Sequence, residues 1–166
     1  MGSLELKWGL IIGGANMVWL FLSYYLGMHD EGIVMLQLMT MIAVLISVIG
    51  FLMALRALTR KFPETEYLEG IRSGAIIAGI SALFAALAQF IYFQWINPER
   101  TQQMVELIRA YYLESGLSEN EANQFAEGAE TTYGMVSYMI QGALGALLIG
   151  MISTAIMMLF LRRRAA

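Results

Sequence analysis

Residues 93–116 read FQWINPERTQQMVELIRAYYLESG, and the character of the chain changes inside this stretch. Up to Ile96 it reads as a membrane span; from Asn97 onward it reads as a helix in water. The rest of the sequence repeats the first pattern more often than the second. Its 166 residues are 58% hydrophobic and 14% charged, whereas soluble domains carry about 25% charged residues. The apolar residues come in long runs rather than scattered, which is the composition of a membrane protein.

A helix needs about 20 apolar residues to cross the hydrocarbon core. Four segments meet that length, at about 8–28, 33–55, 74–96 and 133–161, and none of them contains a charged residue. They are too long and too uniform for strands, which would alternate. The expectation is an all-α membrane protein. A single domain over 1–166 would contain four transmembrane helices, with an amphipathic helical hairpin at about 97–132 between spans three and four. The opening MGSLELKWGLIIGG leads into an apolar stretch with no small-residue cleavage site after it, so the first span reads as retained.

The connecting segments set the expected orientation. Arg56, Arg60, Lys61 and Arg72 lie between spans two and three, and Arg162, Arg163 and Arg164 follow span four. Between spans one and two stand Asp30 and Glu31 without a basic residue, and 97–132 holds seven glutamates against two arginines. Positive residues stay on the cytoplasmic side. Both termini and the middle loop are therefore expected in the cytoplasm of a bacterial inner membrane, with the hairpin in the periplasm. Tyr24, Tyr25, Tyr92, Trp95, Tyr133 and Tyr138 would form the outer aromatic belt, and Trp8 and Tyr67 the inner one. Trp19 falls between the belts and should pack on lipid or on a neighbouring helix.

In the hairpin, Asn97 reads as an N-cap and Pro98 as the first helical residue. Gly116 ends that helix, and Ser118 with Glu121 forms a capping box for the next, which can run on into span four. Met104, Ile108, Tyr111 and Phe125 mark an apolar stripe that needs a surface: its own partner helix, the headgroups or a docking protein. The glutamates read as a solvated face, since they lack the spacing of a calcium loop.

Within the membrane, close packing at small residues draws helices together, because lipid tails are as apolar as leucine. Small residues recur at four-residue steps: Gly9 and Gly13; Gly74 and Ala78, continuing to Ala82 and Ala86; Gly142, Ala146 and Gly150, continuing to Thr154; and span two shows Ala43, Ser47, Gly50 and Ala54. A pore lining could use the same spacing, but helix packing uses it more often. Asn16, Gln37, Gln89 and Gln141 are the main polar residues of the spans. They are expected to hydrogen-bond between helices, with a substrate site as the alternative. His29, at the outer end of span one, reads as a solvated interface residue.

The stretches LKWGLIIGGANMVWLFLSYYLG, YLEGIRSGAIIAGISALFAALAQFIYFQWINPE and GLSENEANQ, followed by a glycine-rich last span with a basic tail, resemble the DUF4199 family. That resemblance covers nearly the whole chain and implies a small bacterial inner-membrane protein of a kind common in Bacteroidetes. It implies no catalytic residues. The sequence has no cysteine and one histidine, so disulfides and a histidine metal cluster are excluded. It shows no Ser/His pair, HExxH or phosphate loop either. The expectation is a protein that is not an enzyme and has no cofactor. It would be an accessory or scaffolding subunit of a membrane assembly, partnered by the lipid bilayer and by other membrane proteins or by itself, and not by nucleic acid. The alternative is a small-solute transporter or channel acting as an oligomer, which the absence of an ionisable residue within the spans disfavours.

Overall fold

A computed structural model of the chain describes residues 2–29 and 31–162; Asp30, Arg163 and Arg164 lie outside the described residues. The elements are α1 (Gly2–Tyr25), α2 (Ile33–Lys61), α3 (Tyr67–Ile91) with a π-helical turn Tyr92–Ile96 at its end, α4 (Arg100–Glu114), α5 (Glu119–Thr132) and α6 (Met135–Leu161). There is no strand among the described residues. Four of these helices, α1, α2, α3 with its π turn, and α6, are long and apolar enough to cross a membrane. Their boundaries run past the apolar segments into polar sequence. The first helix starts at Gly2, α2 continues to Lys61 and α3 begins at Tyr67. Backbone hydrogen bonds extend a helix beyond the point where its side chains stop being apolar.

The turns follow local chemistry. Gly27 and Gly32, at φ 74° and 88°, take the left-handed conformation that lets α1 turn back into α2 within a few residues. Gly116, at φ 88°, ends α4. Ser118 and Glu121 make the expected capping box, with Ser118 N donating to Glu121 Oε2 at 3.0 Å. Two expectations are corrected. A break at Tyr133–Gly134 separates α5 from α6. Asn97 does not cap α4: Glu99 occupies that position, and Asn97 closes the π turn instead.

Around the bundle the order is α1, α3, α6, α2, with α3 packed between α1 and α6 and only lightly touching α2. One end carries the hairpin; the other carries the N-terminus, the α2–α3 loop and the end of α6. The terminal half is closed tightly by glycines. A Cβ placed on Gly9 would lie 2.6 Å from Ile80 and on Gly50 2.6 Å from Ile12; on Gly13, at the border with the looser half, it would lie 2.5 Å from Phe84. On Gly74 it would run into Thr154, and on Gly150 it would lie 2.6 Å from the Phe51 ring and 2.7 Å from Ala78. Two buried clusters fill this half, Ile12 with Phe51, Ala54, Ile77 and Ala78, and Leu55 with Leu58 and Met158.

The hairpin half is looser. Before Ser47, α2 buries only Met39, and before Gly150, α6 buries nothing, whereas α3 stays buried from Gly70 to Ala88. Large apolar side chains face outward from all four long helices, among them Val18, Leu45, Leu83 and Leu148. In water such a surface would be an aggregation hazard. Against acyl chains it is neutral, and contact energy must come from fit.

A charged residue just before the first apolar run is buried in the bundle. Glu5, on the first turns of α1, is 1% exposed. Its Oε1 accepts from Ser73 Oγ at 2.8 Å, while Oε2 has no hydrogen-bond partner among the described residues.

The glycine contacts make a direct prediction. Gly150→Ala should destabilise the protein by about 1–3 kcal/mol through overpacking against Phe51. Gly79→Ala, where an added Cβ meets nothing within 4 Å, should stay within about 0.5 kcal/mol of wild type. Thermal unfolding of the two variants in one detergent compares them; equal midpoints would remove the glycine contact from the account.

Candidate functional site

At the hairpin end, α3 does not stop as an ordinary helix. Its last turn widens into a π turn, closed by Asn97 N donating to Tyr92 O at 2.7 Å. Such turns often occur where side chains are re-aimed at a functional site. Here Tyr92 and Phe93 become buried, while Trp95 turns outward at the edge of the Phe90 ring. The chain then makes the Asn97–Pro98–Glu99 corner, with Arg100 N donating to Asn97 O at 3.2 Å, and α4 begins. The corner delivers Arg100 into the bundle mouth, where it is 4% exposed.

A hydrogen-bonded chain runs beneath this corner. Asn97 Nδ2 donates to Gln103 Oε1 at 2.8 Å and to the Tyr92 hydroxyl at 3.2 Å. The Tyr92 hydroxyl meets His29 Nδ1 at 2.5 Å, and His29 Nε2 meets Ser23 Oγ at 3.1 Å. Ser23 Oγ in turn donates to Leu20 O at 2.8 Å. Because Asn97 can only donate to Tyr92 and Ser23 donates to a carbonyl, the directions fit one arrangement. Tyr92 gives its proton to Nδ1, and Nε2 carries the imidazole hydrogen, an assignment made from the network. His29 is thus buried and engaged, not the solvated residue its sequence position implied. Around it Tyr24, Tyr92, Phe93 and Tyr138 form a run of ring contacts with centroids 5.2–5.8 Å apart. The Arg100 guanidinium lies within reach of the Tyr138 hydroxyl and near Tyr92.

Below this polar roof the four long helices line a half-open cavity of about 390 Å³, within the size range of small-molecule pockets. Its walls are mostly apolar. Near its floor Asn16 Nδ2 bridges to Ser47 Oγ and to Ile12 O, both at 3.0 Å, joining α1 to α2. Trp19 Nε1 donates to Met39 O at 3.0 Å and ties the same two helices nearer the mouth. Gln89 is half-buried and lines the space, as does Gln141, whose Nε2 bonds Thr132 O at 3.0 Å and Ser137 Oγ at 2.9 Å. A second space of about 310 Å³ lies between His29 and the α4 residues Gln103, Glu106, Leu107 and Ala110; His29 and Arg100 border both.

The residues singled out from sequence divide accordingly. Gly9, Gly74, Ala78 and Gly150 lie in the closed half. Gly13, Gly142 and Ala146 line the cavity, and an added Cβ on Gly142 would meet Gln89 at an ordinary 3.5 Å. Of the four polar residues, Asn16, Gln89 and Gln141 border the cavity, but Gln37 faces outward near the start of α2. Of the surfaces open to the hairpin's apolar stripe, the structure shows its own partner helix. Met104 is buried and Ile108 partly so, and only Tyr111 and Phe125 remain half-exposed. The hairpin packs on itself through Ala122, Ala126 and Ala129 of α5, with Phe125 stacked on Tyr112 at 4.4 Å. Among the described residues no group of three or more His, Asp or Glu side chains could hold a metal ion.

These features define a class, a protein with four helices long and apolar enough to cross a membrane, whose bundle holds a half-open cavity beneath a buried arginine. The chain belongs to the DUF4199 family, a family of proteins of unknown function, whose profile matches residues 7–163. No curated protein and no solved structure matches it.

Removing the Tyr92 hydroxyl should leave buried His29 and Asn97 short of a partner at a cost of about 1–3 kcal/mol. Tyr92→Phe should therefore melt well below wild type in detergent, while Tyr25→Phe, at a residue 74% exposed, should not. Coincident melting of all three would show that the network does not hold the roof.

Proposed function

We propose that the protein sits in a bacterial inner membrane with both termini in the cytoplasm and the hairpin in the periplasm, and that it works by binding a small apolar or amphiphilic molecule in the bundle cavity. The observation that carries this reading is the cavity itself, a space shared by all four long helices and roofed by ordered polar groups. Close packing is what holds helices together in lipid. A bundle that closes tightly in one half and leaves room in the other has given up contact energy there, and a bound molecule would restore it. The reading is of a binding protein rather than an enzyme: Asn16, Ser47 and Gln141 already hold structural hydrogen bonds.

The exposed Tyr111 and Phe125 support a second reading, an accessory or scaffolding subunit that meets its assembly through the hairpin tip. Aromatic anchors are common in interface hot spots. Transport by an oligomer also regains some ground, because Glu5 places a buried carboxylate between helices at the terminal end of α1.

Binding is tested by filling the space. An added Cβ at Gly145, which lines the cavity, meets nothing within 4 Å, so Gly145→Phe should fold and occupy it. Wild type in neutral-lipid nanodiscs should bind a fluorescent single-chain amphiphile saturably, and Gly145→Phe should lose at least about tenfold in affinity, worth about 1.4 kcal/mol. Equal binding by the two would end the cavity reading. Orientation is tested separately, and the lack of cysteine makes it simple. In intact spheroplasts an impermeant maleimide should label Ser118→Cys and leave Arg163→Cys unlabelled until lysis; the reverse pattern would invert the topology.

A further inference from the structure

The cavity has a charge at one end. Arg100 is 96% buried by difference from its 4% exposure, yet no ion pair joins it to a carboxylate among the described residues. The groups that share its two spaces include Tyr92, Tyr138 and His29 in the roof and Gln103 and Glu106 on α4. A buried guanidinium keeps its proton, because arginine cannot be neutralised as lysine or histidine can. Among the described residues no carboxylate is bonded to it, and holding it so at the edge of the hydrocarbon is expensive. Arg100 also borders both the bundle cavity and the smaller space under α4, so its donors stand where a ligand head would lie. Its planar fork suits carboxylate and phosphate oxygens. Away from the roof the walls are mostly apolar, interrupted by Gln89, Gln141 and the Asn16–Ser47 bridge, and the cavity ends beside Ile12 and Phe51.

We infer that the ligand is an anionic amphiphile with one apolar tail, its acidic head held by Arg100 between Tyr92 and Tyr138 and its tail lying along the bundle toward Phe51. The inference rests on the cavity being a binding site. The space under α4 gives the head a route from the hairpin side, and the loose contact of α2 with its neighbours leaves the tail a lateral one. Gln89, part-way down the wall, and the Asn16–Ser47 bridge near the floor are polar groups that the tail passes.

The test uses the full chain in phosphatidylcholine nanodiscs, at about pH 9 so that a carboxylic acid in a low-dielectric site stays ionised. Dodecanoate, a lysophosphatidate of equal chain length, dodecanol and dodecylamine compete with the fluorescent amphiphile. Both anions should bind at least about tenfold tighter than dodecanol, as one charge-assisted hydrogen-bonded pair implies, and dodecylamine should bind weakest. A preference between the two anions identifies whether a fatty acid or a phospholipid fragment is the source. Arg100→Gln should bring dodecanoate down to the level of dodecanol and leave dodecanol unchanged, and Arg100→Lys should recover part of the difference. Should Arg100→Gln fail to fold, the wild-type ratio of dodecanoate to dodecanol decides alone. Equal binding of dodecanoate and dodecanol by wild type, with both lost in Gly145→Phe, would overturn the anionic head and leave the cavity standing. No binding sensitive to Gly145→Phe would remove both.

Discussion

At Gly150 the α6 backbone lies against the Phe51 ring of α2 and the Ala78 methyl of α3 at once, with no room for a Cβ. This three-helix contact depends on the solvent. Lipid offers apolar side chains nothing they lack in the bundle, so helices stay together only where their surfaces fit closely. Gly74 against Thr154 and Gly9 against Ile80 extend the same fit toward the terminal end. The contact divides the bundle. On its terminal side the buried clusters close around Leu55, Leu58 and Met158; on its hairpin side α2 and α6 run on with little buried between them.

What keeps the open half from collapsing is polar. The π turn at Tyr92–Ile96 and the corner at Asn97 bring a tyrosine, a histidine, an asparagine and an arginine together above the cavity. Each hydrogen bond fixes the direction of the next, which sets the roof at one height. Trp19 to Met39 and Asn16 to Ser47 hold α1 to α2 at two levels without filling the space between the helices. In a low-dielectric setting such bonds are strong when complete and their loss is heavily destabilising. The rigid roof and the loose walls are therefore two consequences of one economy, in which polar groups are matched and apolar groups are left free to match a ligand.

Much of this was legible in the sequence, for reasons that differ by feature. The four spans could be read because length and apolarity are properties of a segment by itself. The capping box at Ser118 and the stop at Gly116 could be read because both are local. The small-residue steps were visible, but their meaning was not. Gly142, Ala146 and Gly150 share one spacing, yet the last meets Phe51 and the first two border empty space. Spacing gives a face of a helix, not the distance to what lies opposite. Arg100 and His29 were missed for a related reason. Each sits beside polar sequence and reads as solvated, and only the π turn, which no glycine or proline announces, folds the corner inward over them. Glu5 was missed because α1 begins before its apolar run does.

The central claim, a bundle closed in one half and open in the other, can be measured along a single helix. Ala82 and Gln89 lie two turns apart on α3; Ala82 is 5% exposed and Gln89 borders the cavity. In the otherwise cysteine-free chain, Ala82→Cys and Gln89→Cys are reacted in nanodiscs with a small methanethiosulfonate, with and without a saturating single-chain amphiphile. The account predicts that the cysteine at 89 reacts and is protected by the amphiphile, while the one at 82 stays unreacted in both conditions. Equal reactivity at the two positions, or reaction at 82 alone, would contradict it.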